Sequence, residues 1–484
     1  MRQGWRSPAV ALGAVLALGA VLRLLMVLAW QPGLFGWPDA ASYIIVSQSE
    51  LFANELRPAG YPLVLLILYA VAPSITLVVV VQHVLGLATA ALLYLTVGRA
   101  GAPRALGLIP AAIVALGGDG IFLEHAPISE TVFTFLVAVA LYAAVRSLAG
   151  RRLAWPVLLG LTLALAASVR VVALPLVPLL ALVLVAVTAT PLRRRLATGA
   201  AVAAGALAVL VPYNVAAELS VGKSGLSRNG SWNIYGRVAP FADCTKFTPP
   251  PGTQYLCETT PRWRRPITAQ YTFNWYYSPA IKYFGDPHSA SPPQTAQVTA
   301  FARAVILNQP LDYAEEVGAG LLRYIAPDSF RGYGGGPSYR DLVNRQILFH
   351  GTFQALGRGV AAEYYTDAER FTSDRTLLRA LRGWESVTRV QGPVFLALAL
   401  LAAGAPLLTR GLLRHASIVF TLVAATLLVV PVATVEFSAR SAVPGFGSLG
   451  AAAALGLCGL VAALRARRRS PSLGRSPQPL DLGI

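Results

Sequence analysis

The 484-residue chain carries 40 lysines and arginines against 22 aspartates and glutamates, a formal net charge of +18. Yet only 13% of its residues are charged, 55% are apolar, and the mean hydropathy is +0.58. This balance excludes a soluble globular protein, whose core cannot hide so much apolar surface, and marks a chain that crosses a membrane several times. The basic excess gathers at the ends of apolar runs, so it reads as topology and contact with anionic lipid. No zinc-finger, helix-turn-helix or RNA-binding signature accompanies it, and nucleic acid is not an expected partner.

A run of about 20 apolar residues can cross a bilayer, and it must do so as a helix because the backbone has only itself to bond there. In chain order the spans fall near residues 9–30, 75–97, 105–122, 129–147, 153–170, 172–190 and 197–214, then 393–409, 416–434 and 441–463. No small-residue cleavage site follows the first run, which reads as a retained helix. Arg2 and Arg6 precede it, and Arg99 with Arg104, Arg146 with Arg151 and Arg152, and Arg193 to Arg195 mark every second boundary afterwards, the positive-inside pattern. Crossing by the short apolar segment Tyr61 to Val71 would break that parity, so a re-entrant or interfacial helix on the outer face is expected there.

Hydropathy falls after residue 215 and returns near Val394, so 215–390 reads as an extracytoplasmic domain inserted between spans seven and eight. The closing spans place Arg410 and Arg414 inside and Glu436 and Arg440 outside. The expected fold class is an all-α polytopic membrane protein of about ten transmembrane helices. It divides into a module at 1–214 with its first outer loop at 31–74, the outer domain, closing helices at 391–464, and a basic, disordered cytoplasmic tail at 465–484. Cys244 and Cys257 fall in the outer domain, where an oxidising compartment permits a disulfide, while Cys458 in the last span reads as a small packing residue.

Ionisable side chains are costly in a membrane and mark function when they collect at one level. Asp39 lies just past the first span, Asp119, Glu124, His125 and Glu130 surround the turn between the third and fourth, Arg170 ends the fifth, and Arg440 opens the last. A carboxylate suits a general base that accepts the proton of an attacking hydroxyl. Arginine suits phosphate, pairing its oxygens two at a time and staying charged when partly buried. Asp39 is therefore the expected base, Glu130 its helper, and Arg170 and Arg440 the phosphate pair, although a snorkelling helix end explains Arg170 equally well. Arg57, Tyr61, Glu124 and His125 are expected to bind substrate beside them. No nucleotide-cradling glycine loop is present, no cofactor is demanded, and a divalent cation, if used, would fall to Asp39, Glu130 and His125.

The succession PDAASY (38–43), RPAGYPL (57–63), APISETVFTF (126–135) and EFSARSAVP (436–444) resembles the GT-C membrane glycosyltransferases. Within them it is similar to the group holding the protein O-mannosyltransferases and the lipid A aminoarabinose transferase. The resemblance runs over most of the membrane part. It implies a GT-C-like bundle, a polyprenyl-phosphate sugar as donor, and inverting transfer of one sugar to a glycan, lipid or protein acceptor outside the cytoplasmic membrane of a bacterium. It also implies that Asp39 holds the place of the catalytic acid, that RPAGYPL belongs to a juxtamembrane helix on the active-site side, and that Glu130 stands where relatives carry a second acid. The chain departs from the pattern at Ala40, where relatives often continue an acidic pair, and at Ser441, where they often carry tyrosine.

A transporter or flippase of a polyprenyl-linked sugar is the alternative, suited by Arg23 deep in the first span, but acids at outer helix ends and unlike halves favour an enzyme. A noncatalytic scaffold is a weaker third reading. The aromatic NGSWNIYGRVAPFADC stretch (229–244) suits sugar stacking but is ordinary for an outer loop, and the RGYGGGPSYR stretch (331–340) reads as a mobile lid. In intact cells a membrane-impermeant maleimide is expected to label Cys244 and Cys257 only after reduction. Labelling without reductant would remove the disulfide, and labelling only in opened cells would overturn the orientation.

Overall fold

The computed structural model describes residues 8–53, 56–150, 152–187, 190–222, 224–265, 273, 276–285, 287, 290–326, 336–344 and 352–469. It is a helical, polytopic architecture. Six helices are long and apolar enough to cross a membrane: Pro8–Ala29 (α1), Ile75–Arg99 (α4), Glu130–Ala149 (α7), Leu192–Val221 (α10), Gly411–Thr434 and the last helix from Ala439. The number rises to eight if two bent pairs each count as one span. The expected spans at 153–170 and 172–190 fall on the shorter apolar helices Ala154–Val169 (α8) and Val171–Val187, whose main part is Leu176–Val187 (α9).

The first bent pair corrects the expected continuous third span. Its helices Leu108–Leu116 (α5) and Gly118–Glu124 (α6) meet at 50° around Gly117. A broken helix frees backbone groups that lipid cannot satisfy. Here the helix Arg375–Thr388 satisfies two of them, since Trp384 Nε1 donates to Leu116 O and Gly118 N donates to Thr388 Oγ1, and Arg23 NH1 donates to Ala115 O at 2.6 Å. A Cβ on Gly118 would stand 2.6 Å from Glu385 Cα, so only glycine allows this approach. Arg375–Thr388 in turn bends by 44° into Gly392–Leu408, the second pair.

The segment expected as the first outer loop contains two helices, Pro38–Gln48 (α2) and Gly60–Val71 (α3). Proline suits the first turn of α2, and Asp39 beside it faces the partial positive charge of the helix start. A two-residue antiparallel ladder pairs Trp30–Gln31 with Thr372–Ser373. Asp367 then caps α4, accepting from Ile75 N, Thr76 N and Ser74 Oγ.

Residues 215–390 contribute to two cores. Trp232, Tyr235, Phe241, Phe273 and Phe301 form a core of their own, beside which the Cys244–Cys257 disulfide closes. Tyr339, Leu342, Val360, Tyr365 and Leu378 instead join the main core with Phe35, Trp37 and Phe122. Of the stretch expected as a lid, residues 331–335 lie outside those described. Gly336 lies against the Trp37 ring, where a Cβ would meet Nε1 at 2.0 Å, and the Tyr339 ring lies 4.6 Å from that of Phe122. The run at 465–469, expected in a disordered tail, continues the last helix to Arg469, and residues 470–484 lie outside those described.

α8 and α10 touch backbone to backbone: a Cβ on Gly160 would stand 1.9 Å from Val202 O, and one on Gly205 would stand 2.1 Å from Val157 O. Small residues at such crossings let membrane helices gain close van der Waals contact. Gly160→Val and Gly205→Val should each cost about 1–3 kcal/mol or more through overpacking. Thermal melting of the solubilised protein checks this, and unchanged midpoints in both variants would refute the close crossing.

Candidate functional site

Five chain segments bring charged side chains together at helix ends. Asp39 sits in the first turn of α2, Arg57 precedes α3, Glu130 is the first residue of α7, Arg170 follows α8, and Arg440 is the second residue of the last helix. Gly60 draws the start of α3 onto the end of α8, since a Cβ there would lie 2.4 Å from Ser168 O, and this carries Arg57 and Arg170 towards one another.

Arg57 donates from Nε to Asp39 Oδ1 at 2.5 Å and pairs with the same oxygen through its NH2 group. Arg440 donates from NH1 to Asp39 Oδ2 and from Nε to Glu130 Oε1, the latter at 2.5 Å. Arg170 NH1 also donates to Glu130 Oε1, and reaches Ser129 Oγ at 3.3 Å. Three guanidiniums against two carboxylates leave one positive charge in excess. The Asp39 side chain is 18% exposed and that of Glu130 only 2%. Charges so placed persist only when paired and hydrogen-bonded, as these are. Glu130 Oε2 is the exception, a buried oxygen with no hydrogen-bond partner.

Burial by itself would raise the Asp39 carboxyl, but Arg57 and Arg440 outweigh it and hold the group well below the usual carboxylate range. Asp39 is thus an anion at rest, with both oxygens occupied.

The other expected site residues go elsewhere. Tyr61 turns to α4, donating to Gln82 Oε1 at 2.9 Å, and meets the cluster only through the Tyr43 ring, 5.0 Å away. Glu124 and His125 belong to a second buried network. Arg23 forks onto both Glu124 oxygens at 2.8 Å, His83 Nδ1 lies 2.9 Å from Glu124 Oε2, and His83 Nε2 lies 3.2 Å from His125 Nδ1. His125 Nε2 donates to Trp30 O at 2.6 Å. With both His125 nitrogens engaged, the cation set of Asp39, Glu130 and His125 is not assembled. Among the described residues no group of three His, Cys, Asp or Glu is placed to hold a metal ion.

Tyr43 and Ser129 were missed by sequence reasoning. Tyr43 donates to Ser129 Oγ at 3.3 Å, beside the Arg170 contact. Its four-residue spacing from Asp39, which sets both on one face of α2, was the available signal. Trp37, whose ring centre lies 5.6 Å from the Arg440 guanidinium, gave none.

No known family profile and no curated protein matches the chain. Among solved structures it is similar to the archaeal oligosaccharyltransferase AglB from Archaeoglobus fulgidus, determined in complex with an inhibitory peptide and a dolichol-phosphate. The identity is 13% and the TM-score 0.41, over 94% of this chain and 51% of that one. The chain thus spans about half the length of that neighbour.

Asp39→Asn removes the counter-charge shared by Arg57 and Arg440. Because the carboxyl is held below its ordinary value of about 4, its contribution to stability is whole above that pH and fades as pH falls through the lowered value. The variant should melt below the parent at about pH 7, and the gap should narrow below about pH 4. A gap constant across that range would refute the pairing.

Proposed function

We propose that the chain is a membrane glycosyltransferase that moves one sugar, with inversion, from a polyprenyl-phosphate donor to an acceptor outside the cytoplasmic membrane. The observation that carries this reading is the cluster itself. A sugar linked to a polyprenyl phosphate is a phosphodiester bearing one negative charge, and the three arginines exceed the two carboxylates by one positive charge. The motif resemblance adds the donor class. Ten spans put the site on the outer side, an arrangement supported by the arginine parity.

The donor phosphate competes for the guanidinium edges of Arg57, Arg170 and Arg440 and draws Arg57 and the NH1 group of Arg440 from Asp39. Asp39 then regains a basic lone pair. The acceptor oxygen attacks the anomeric carbon as its proton passes to Asp39, and the bond from that carbon to the phosphate oxygen breaks with its electron pair on the phosphate. The arginines stabilise the charge that develops there. Glu130 keeps Arg170 and Arg440 in place through Oε1. Arg23, which favoured transport, is engaged by Glu124 in a closed pair.

Purified protein in nanodiscs, given a panel of radiolabelled polyprenyl-phosphate sugars, tests the reading. Asp39→Asn should cut transfer by roughly 100- to 10,000-fold while polyprenyl phosphate still binds. Arg440→Lys keeps the charge but loses the fork that spans two carboxylates, and donor affinity should fall about tenfold. Near-parental transfer by Asp39→Asn, or transfer only from a nucleotide sugar, would overturn the assignment.

A further inference from the structure

Two cavities meet the charge cluster, and their linings differ in kind. The smaller runs from Arg57 past Phe52, Tyr213 and Ser227 to Arg228, with two guanidiniums and, among the described residues, no carboxylate. The larger has Asp119, Glu124 and Glu130 in its lining and, among the described residues, no lysine, arginine or histidine. It lies among membrane helices, where Ile113, Val114, Leu123, Val443 and Phe446 give it apolar walls.

Most polar groups of the larger cavity are already engaged, Asp119 by Arg389 at 3.6 Å. Thr89, Thr134 and Thr388 already donate to carbonyls of their own helices, at Leu85, Glu130 and Trp384. Glu124 is occupied by Arg23 and His83. Glu130 Oε2 remains without a partner, while Oε1 takes both Arg170 and Arg440. The unmet Glu130 oxygen accepts a hydrogen bond from a hydroxyl, a donor that a phosphodiester does not carry. Its apolar walls suit a ligand whose hydroxyls are carried on an apolar body.

We propose that the larger cavity is the acceptor site, taking a neutral polyol head on an apolar chain, one hydroxyl of which donates to Glu130 Oε2. This rests on the transferase reading and adds the chemical class of the acceptor. A neighbouring hydroxyl is then the one that faces Asp39, and the phosphate of the donor is left to the Arg57 side.

Gly120 supplies a clean test. It lines the cavity, and a Cβ built on it meets nothing within 4 Å, so a side chain can leave the backbone there without a clash, and Gly120→Leu is the first filling variant. Val443→Phe fills it from the last helix, which guards against a folding defect in the first variant. The probe is a diazirine-bearing dodecyl maltoside, cross-linked to protein in nanodiscs, with labelled polyprenyl phosphate as the contrasting ligand. In the parent, cross-links should map to peptides bearing Ile113, Val114 or Phe446, and both filling variants should lower them about tenfold while polyprenyl phosphate binding changes less than about twofold. Undiminished cross-linking in the filled variants would overturn the cavity assignment. Displacement of the maltoside by polyprenyl phosphate would overturn it too, giving the cavity to the donor lipid. Cross-linking that behaves as expected beside no transfer from any polyprenyl-phosphate sugar would overturn the transferase reading, and the acceptor role with it, while the polyol site stands.

Discussion

The guanidinium of Arg440 holds the site together. It lies between Asp39 and Glu130, touching both, and so fastens the start of the last helix to α2 and α7 across 401 and 310 residues of chain. Without that bridge two buried carboxylates would face each other at the mouth of a low-dielectric bundle, a repulsion that proteins relieve by protonating one of them. With it, and with Arg57 and Arg170 on the flanks, both stay anionic and in place. The same contacts leave Asp39 a poor base at rest. An anion that competes for the arginines is what turns a structural ion pair into a reactive one, so the proposed donor also acts as the activator.

The break at Gly117 performs the complementary task. An unbroken third span would carry Glu124 onward along one axis; the 50° turn instead directs α6 so that Glu124 meets Arg23 and His83. Four ionisable groups from α1, α4, α6 and the turn after α6 thereby satisfy one another inside the bundle. These two charge networks differ in kind: one is closed on itself, and the other has a surplus cation and an unmet carboxylate oxygen.

This difference explains which residues were legible in the sequence. Parity of basic loops and the ends of apolar runs report depth, and depth was enough to group Asp39, Glu130, Arg170 and Arg440, whereas Arg57 came from the RPAGY motif of the first outer loop. Depth says nothing of direction around a helix axis, so Glu124 and His125 share the level of Glu130 yet point into another network. The helix α2 escaped notice because an eleven-residue segment with serines, a glutamine and one acid has no strong apolar period, and its shape comes from packing against α3 and the helix Thr352–Tyr364 instead. Hydropathy likewise made one outer domain of 215–390, since it measures how polar a stretch is and not which core its few apolar side chains enter.

The cap on α4 bears on how such a chain comes to be made. The first amides of that helix are satisfied by Asp367, and Thr366 N reaches back to Pro73 O, so the partner is synthesised some 292 residues after the helix it completes. At about 5–20 residues per second, α4 waits roughly 15 to 60 s in the membrane with its end open to interfacial water. Arg440 reaches Asp39 later still. The helices can settle into lipid in the order of their synthesis, but the chemistry has to wait for the last of them. A ribosome that stops early therefore leaves inserted helices without the Arg440 bridge between Asp39 and Glu130.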